Sequence, residues 1–558
     1  MHLFDPAPHI LFALRHAKFL PSPYSAEDAN RMTLGYFCLA SLALLPDPSP
    51  SSRSALETML KPAQRLGIAD WVYRQQAPTG GFRGSDSVAP DAGDAAAASY
   101  DPPNLIQSYT ALLVLALVED DLERLDRRAL LEFVARCQFE NRDGSFSLSP
   151  GSGGGGGEPG DPRSTYAAFA ICSILNDWST IDVDRALSFL DACRRFEGGF
   201  AQRPNLEANA GPTYCAIASY DLCGRIDSVP RPETLFRWLV DRQISPSALT
   251  DCISPATPSS ASSSPVASRS GQQDQDEDDD DDENEDEDEQ TRAAMMEGCA
   301  GFQGRANKPL DACYSFWSLG ALSLLLSSTG ASTGPHKPHE EETEAVESPV
   351  GDKVDAVARE NASVRGVSHA SDLERPPGEE GSRPRPRRHR RRPSGGRPIA
   401  NVDALVDLVD TALDSRWLLA CQYRSPYYGR SAARSVTGGI ARDPDDALPD
   451  VYHTYLSLAA LSIGQPPLSR PPSPPPPRRV PQGGNDDDDK REERGTRGGQ
   501  GRQPERGLEL GLRRLNVAWN VEAGVAERLE RRIGGLQARD GHDSLRTATM
   551  HRAHDRSR

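Results

Sequence analysis

Hydrophobic positions along the 558-residue chain fall into two alternating kinds of stretch. One kind is apolar almost all round and rich in Ala, Ser and Cys: SYTALLVLAL from Ser108, TYAAFAICSIL from Thr165, TYCAIASYDLC from Thr213, CYSFWSLGALSLLL from Cys313 and TYLSLAALSI from Thr454. Each opens with Ser, Thr or Cys followed by Tyr, and MTLGYFCLASLALL from Met32 is an earlier relative. Such runs predict helices packed on both sides. The other kind carries charge on one face: DRRALLEFVARCQ from Asp126, DVDRALSFLDACRR from Asp182, PETLFRWLVDRQ from Pro232 and VDALVDLVDTALDSRWLLACQ from Val402. These predict outer amphipathic helices. Glycine turns punctuate the pattern, with GGF at Gly80, DGSF at Asp143, GGF at Gly198, GF at Gly301 and GGI at Gly438. Glycine reaches the positive φ that stops a helix. The period is roughly 50 to 65 residues, so the repeating unit is a helix pair. Six buried and six outer helices would close into an α6–α6 barrel. An open solenoid is the alternative, but its inner helices would face solvent along a concave side, and these are too apolar for that. The expected fold class is all-α, an α/α barrel of repeats.

Long insertions interrupt the repeats. Segments 247–297, 328–399 and 465–506 and the tail 537–558 are rich in Ser, Pro, Gly and charge, bury too little apolar surface to offset ordering entropy, and are expected to be disordered. That leaves barrel segments 1–246, 298–327 and 400–464, and a C-terminal barrel helix within 507–536. The formal charge is 63 − 81 = −18. In the stretch Asp274–Glu289 every residue but Gln275 and Asn284 is acidic, so the rest is only mildly acidic. A general nucleic-acid or anionic-membrane role is disfavoured. The Arg383–Arg392 cluster reads either as a polyanion or nuclear-localisation patch or as a solvated loop. No apolar run is long enough to span a bilayer, and the N-terminus lacks the features of a leader. Ten dispersed cysteines with no CxxC pair argue for a reducing compartment. A cytoplasmic protein is expected.

The N-terminal ends of parallel inner helices gather at one mouth of a barrel, where helix dipoles and free N–H groups suit an anion. Two segments enter that mouth. GFQGRANKPLDACYSFW, from Gly301 to Trp317, places Arg305, Lys308, Asp311, Cys313 and Tyr314 in one short stretch. GGIARDPDDALPDVYHTYL, from Gly438 to Leu456, adds Arg442 and His453. A carboxylate, a thiolate and an imidazole suit zinc, with a fourth position left open. A D-x-C pair alone is common, and a buried Cys is often just a small apolar residue. Arg305, Lys308 and Tyr314 could hold a phosphate or be solvated surface.

These residues carry a resemblance. GRANKPLDACYSFW, the PD-V-YHTYL region, GFRGS from Gly81, YDPPNLIQSYTALL from Tyr100, DPRSTYAA from Asp161, LEANAGPTYCAIAS from Leu206, PYSAEDANRMTLGYFCLASLALL from Pro23 and RLNVAWNVEAGVAERLERRI from Arg514 resemble, in order, the protein prenyltransferase β-subunit family, most closely the type I geranylgeranyltransferases. The resemblance covers roughly two-thirds of the chain, with the insertions between matched blocks. It implies a zinc enzyme with an α6–α6 barrel, paired with a separate helical α subunit. Such an enzyme transfers geranylgeranyl from geranylgeranyl diphosphate to the cysteine of C-terminal CaaX proteins, preferably ending in Leu, such as Rho-type small GTPases. By resemblance Asp311, Cys313 and His453 are the catalytic ligands of one Zn2+ per β subunit. Arg305, Lys308, Tyr314, Arg442 and Asn209 then bind diphosphate, Thr33, Phe37, Cys215 and Trp317 line the isoprenoid pocket, and Asn104 and Arg163 lie at the peptide site.

Two positions set the subfamily. Thr33 stands where farnesyltransferases carry a bulky Trp, leaving room for a fourth isoprene unit. Arg442 stands where type I enzymes have a Lys and farnesyltransferases an Asp that binds magnesium, so Mg2+ is not expected to be required. Two departures are Asn209 and Asn104, both at family histidine positions; an amide donates a similar hydrogen bond but carries no charge. The alternatives are a Rab-type or farnesyl β subunit, or a non-catalytic barrel scaffold.

Overall fold

The computed structural model describes residues 4–48, 53–86, 102–139, 143–150, 160–246, 298–329, 402–424, 436–445, 448–465 and 510–537. The acidic stretch, the Arg383–Arg392 cluster and nearly all of the insertions expected to be disordered lie outside these described residues. The described residues share one compact unit; a second, Thr333–Pro393, lies wholly outside them.

The helices run α1 Pro6–Lys18, α2 Arg31–Leu44, α3 Ala55–Met59, α4 Pro62–Arg74, α5 Leu105–Leu117, α6 Arg127–Phe139, α7 Pro162–Leu175, α8 Val183–Cys193, α9 Ala210–Leu222, α10 Pro232–Val240, α11 Ala312–Thr329, α12 Val402–Leu408, α13 Thr411–Ala420 and α14 Val451–Gly464, followed by a helix over 523–537. The all-round apolar runs become α2, α5, α7, α9, α11 and α14. In α5 every residue except Ile106 is buried, and in α7 every residue except Arg163. Burial on all sides needs neighbours on all sides, and closure supplies them. Each of these helices packs on the next in sequence, and α14 packs back on α2. The barrel is closed, not an open solenoid.

The outer layer contains the amphipathic stretches, with two differences from the pattern. The run from Val402 is not one helix: it breaks into α12 and α13 at Asp410, whose Oδ1 accepts from the backbone of Ala412 and Leu413 at 3.1 and 2.9 Å. The first helix, α1, is also an outer element. It buries His9, Ile10, Phe12 and Ala13 and packs on both α2 and the strand Val436–Ile440, joining the start of the chain to its last repeat.

Glycine turns link outer to inner helices. Gly198 has φ +128°, which a side chain would resist. Gly301 is needed for a different reason: a Cβ there would lie 2.7 Å from the Trp417 ring. Three of the turns are tied down by the Ser or Thr that opens the apolar run. Phe82 N–H donates to Ser108 Oγ at 2.8 Å, Phe200 N–H to Thr213 Oγ1 at 2.9 Å, and Ile440 N–H to Thr454 Oγ1 at 2.9 Å. Hence the recurrent hydroxyl is a tether between turn and helix.

The tyrosine that follows points inward. Tyr36, Tyr109, Tyr166, Tyr214 and Tyr455 are all buried, and their hydroxyls meet backbone carbonyls of Val517, Ala518, Trp519 and Asn520. That segment lies in the tight antiparallel hairpin of β5 Leu515–Asn516 and β6 Val521–Glu522, so the C-terminal region is a hairpin plug followed by a helix, more than the helix alone. The remaining strand pairs are β1 Gln243–Ile244 with β2 Gly301–Phe302, and β3 Gln422–Arg424 with β4 Val436–Ile440. The structure also corrects the register of the fifth repeat. Counted from the helix cap, the positions equivalent to Thr213–Tyr214 are Ser315–Phe316, not Cys313–Tyr314. Cys313 and Tyr314 therefore sit two residues earlier, at the mouth.

Candidate functional site

Five inner helices begin on an acidic or amide side chain that caps the free N–H groups of the first turn. Asn104 Oδ1 accepts from Gln107 N–H at 2.9 Å, Asp161 Oδ1 from Arg163 at 2.7 Å, Asn209 Oδ1 from Gly211 at 3.0 Å, Asp311 Oδ1 from Cys313 at 2.8 Å, and Asp450 Oδ1 from His453 at 2.8 Å. The mouth is thus a rim of caps, and what distinguishes α11 and α14 is the residue that follows. Cys313 lies two after its cap and His453 three after its own. One carboxylate oxygen of Asp311, Cys313 Sγ and one His453 nitrogen all lie within 4.8 Å of one another. Two helices distant in sequence bring an oxygen, a sulfur and a nitrogen donor to one point, a set that suits zinc.

Burial and hydrogen bonds within the cluster set its electrostatics. His453 Nε2 lies 3.4 Å from Asp311 Oδ1, and Nδ1 lies 2.5 Å from Asp450 Oδ2. Burial opposes charging of the imidazole, yet hydrogen bonds to Asp311, Asp450 and Cys313 raise its pKa to about 12. Burial pushes the Cys313 thiol up to about 12. Burial is the largest influence on Asp311 and would raise it, but its hydrogen bond and charge interaction with His453 and its bonds to Cys313 together hold it below the usual carboxylate value. Asp450 is the residue that motif reading passed over. The D-x-x-H spacing at the start of α14 was the available signal, since third neighbours share a helix face.

Cationic groups flank the cluster. Arg305 is half-exposed and pairs with Glu207 at 3.1 Å; Lys308 is exposed. Tyr314 is part-buried, and burial raises its hydroxyl pKa against a lowering hydrogen bond from Asn209. Asn209 thus caps α9 with its oxygen and meets Tyr314 as well. The Arg442 carbonyl accepts from Ala312 N–H at 2.7 Å, and its guanidinium lies 3.0 Å from Asp443. Gly304 makes room for the phenol: a Cβ there would sit 2.1 Å from the Tyr314 ring.

The inner wall is apolar. Trp317 lies 5.1 Å from Tyr214, and Phe37 stacks 5.6 Å from Tyr455 and edge-on 5.6 Å from Tyr452. Cys215 is buried one turn inside α9, with its thiol pushed well above its usual range by burial. Thr33 is part-exposed, with its hydroxyl bonded to Gln107 Oε1 at 3.0 Å. Elsewhere on the same rim Arg163 holds Asp161 at 2.5 Å, and Asn104 is occupied as a cap.

The prenyltransferase alpha-alpha toroid domain model matches residues 4–520. The chain belongs to this prenyltransferase family. Within it, the chain is 29% identical over 335 residues to the Dictyostelium discoideum protein named geranylgeranyl transferase type-1 subunit beta, covering 56% of this chain and 75% of that one. The Arabidopsis thaliana protein of the same name is 26% identical over 337 residues, covering 58% and 72%. The Schizosaccharomyces pombe protein farnesyltransferase subunit beta is 26% identical over 341 residues, covering 60% and 65%. Among solved structures, a Candida albicans protein geranylgeranyltransferase-I complexed with GGPP matches with a TM-score of 0.55 at 18% identity, over 95% of this chain and all of that one. That match establishes the toroid of this prenyltransferase chain. No helix among its described residues is long and apolar enough to cross a membrane.

Proposed function

We propose that the chain is the β subunit of a type I protein geranylgeranyltransferase, which transfers the twenty-carbon lipid of geranylgeranyl diphosphate to the cysteine of proteins ending in a CaaX box, preferably with Leu last. The observation that carries this reading is the convergence of Asp311, Cys313 and His453 at the mouth of an apolar-walled toroid. Zinc held there would lower the pKa of an incoming thiol and keep it as thiolate near neutral pH. One ion per chain is expected.

The chain's own groups do the rest. Tyr314 keeps its proton, because burial raises its pKa, and so it donates to a diphosphate oxygen. Arg305, Lys308 and Arg442 spread positive charge over the leaving group as the C1–O bond breaks, which makes magnesium dispensable. Asn209 steadies Tyr314 where a charged imidazole would otherwise stand. Phe37, Cys215 and Trp317 bury the isoprenoid, each sequestered methylene contributing about 0.8 kcal/mol. Thr33 is small enough to admit a fourth isoprene unit, which favours this donor over the farnesyl one. Asn104 and Arg163 face the peptide. The partners are a prenyltransferase α subunit and CaaX proteins of the Rho-type GTPase class, in the cytoplasm.

The test is co-expression with the cognate α subunit, metal analysis, and transfer to a CaaL peptide from fifteen- and twenty-carbon donors. One zinc per heterodimer and a twenty-carbon preference support the assignment. Metal-free heterodimer with full transfer activity overturns the metal role, and no transfer from either donor favours a scaffold.

A further inference from the structure

The third residue after the cap of each inner helix forms one layer just inside the mouth: Thr33, Gln107, Ser164, Pro212, Tyr314 and His453. Gln107 has no role in the proposed transfer, yet it is only 2% exposed, and a buried amide must be fully paired. Its Oε1 accepts from Thr33 N–H at 3.2 Å and from Thr33 Oγ1 at 3.0 Å, and its Nε2 donates to Asn30 Oδ1 at 3.1 Å. Thr110 Oγ1, one turn further along α5, lies 3.3 Å from the same Thr33 hydroxyl.

These bonds have two consequences. Asn30 makes no side-chain cap on α2; Gln107 provides that cap from the neighbouring helix. The Thr33 hydroxyl is also committed to α5, which leaves the methyl as the γ group of this part-exposed residue with no hydrogen-bonding role. Phe37, one turn on, continues the same face toward Tyr452 and Tyr455.

We propose that Gln107 is a specificity-determining residue for donor length: it holds the Thr33 hydroxyl in the barrel wall, so that an apolar gap meets the end of the longer isoprenoid. This role presupposes the transferase reading and deepens it at the same site. A Thr33 hydroxyl released from Gln107 keeps the longer contact to Thr110 Oγ1 at 3.3 Å, and a polar group so weakly held before hydrocarbon disfavours only a donor long enough to reach it.

The experiment uses the full heterodimer and compares kcat/KM for geranylgeranyl and farnesyl diphosphates. Gln107→Met keeps the volume and removes the acceptor, so the twenty- to fifteen-carbon ratio should fall about tenfold. Adding Thr33→Val, which removes the hydroxyl itself, should restore the ratio. Gln107→Glu retains an acceptor and should keep the ratio within about threefold, which gives a second reading if the Met variant fails to assemble. A ratio unmoved by Gln107→Met, a double variant without recovery, or a Glu variant that falls as far as Met overturns the role of Gln107. Wild-type heterodimer that transfers neither lipid overturns the transferase reading instead.

Discussion

Asp450 caps α14 through Oδ1 and holds His453 through Oδ2, and two substitutions separate these jobs. The His453 imidazole offers Nε2 toward Asp311 only while Nδ1 carries the proton given to Asp450, at 2.5 Å. In Asp450→Asn one amide must serve both sites. With its oxygen on the His453 backbone N–H, now 2.8 Å, its NH2 faces Nδ1 and favours the tautomer protonated at Nε2, which cannot bind metal. Turning the amide over restores the imidazole bond but sets two donors against each other at the cap. Loss of such an orienting carboxylate lowers metal affinity roughly 10- to 100-fold, or about 1.4 to 2.7 kcal/mol. Asp450→Ala should show the same metal deficit plus about 1 kcal/mol of lost helix capping.

The assay is chelator competition for zinc on the heterodimer, with the absorption of a cobalt-substituted sample as a check on geometry and thermal melts of metal-free protein as a check on the cap. The Asn variant should lose metal affinity with metal-free stability nearly intact, and the Ala variant should lose both. Zinc binding by Asp450→Asn as tight as wild type would refute the orienting role. The same cluster sets a pH dependence. His453 and Cys313 both have pKa values raised to about 12, and both must give up a proton to bind metal. Zinc uptake should therefore release protons into weak buffer and strengthen as pH rises.

Other outcomes rest on single contacts. Asp414, buried and hydrogen-bonded by Ser315 Oγ at 2.6 Å, has its pKa raised by burial to about 7; a proton held more tightly in the folded state gives stability that is complete below about pH 4 and lost as pH rises toward 7, in total about 4 kcal/mol. Asp414→Asn should flatten that slope, with melts of variant and wild type converging at low pH and the variant more stable at pH 8; parallel curves would count against it. Gly304→Ala pushes a methyl into the Tyr314 ring and should raise the donor KM about tenfold while sparing peptide KM; equal effects on both would point to general misfolding. With Arg442 supplying charge, single-turnover rates should be the same with magnesium present or chelated, and a strong rise with magnesium would sink that reading.

The legible part of this protein is what repeats. Apolar runs that find no polar face had to be inner helices, and glycine turns had to separate them from charged partners. The Asp311, Cys313 and His453 set was visible because its residue types are scarce and open two such runs. What stayed hidden depends on pairs far apart in the chain. Helix α1 carries no repeat signature of its own because its neighbour β4 is some 430 residues away, as the bond between Gly439 N–H and His9 Nδ1 at 3.1 Å attests. The break at Asp410 was masked by a continuous amphipathic pattern; its cap on α13 and its backbone bonds to the distant Gln243, at 2.8 Å each way, mark the stop.

The register correction in the fifth repeat explains how one architecture serves both stability and chemistry. In four repeats the hydroxyl four residues after the cap, at Ser108, Thr165, Thr213 and Thr454, and the tyrosine five after it are structural; three of those hydroxyls tether a turn, and the tyrosines hold the plug. In the fifth, Ser315 bonds Asp414 and Phe316 has no hydroxyl for the plug. The third position after the cap is structural in α5 and α7, where Gln107 bonds Thr33 and Ser164 bonds the Phe146 carbonyl, whereas in α11 and α14 the second and third positions supply the site. Cys313, Tyr314 and His453 occupy those positions, where the caps already hold the backbone. A rim of helix caps supplies fixed geometry, and chemistry enters by changing the residues next to the caps. Asp311 and Asp450 belong to both systems, so variants at these two positions should couple metal binding to stability, whereas Cys313→Ala should abolish metal binding with the metal-free melt changed by less than about 1 kcal/mol.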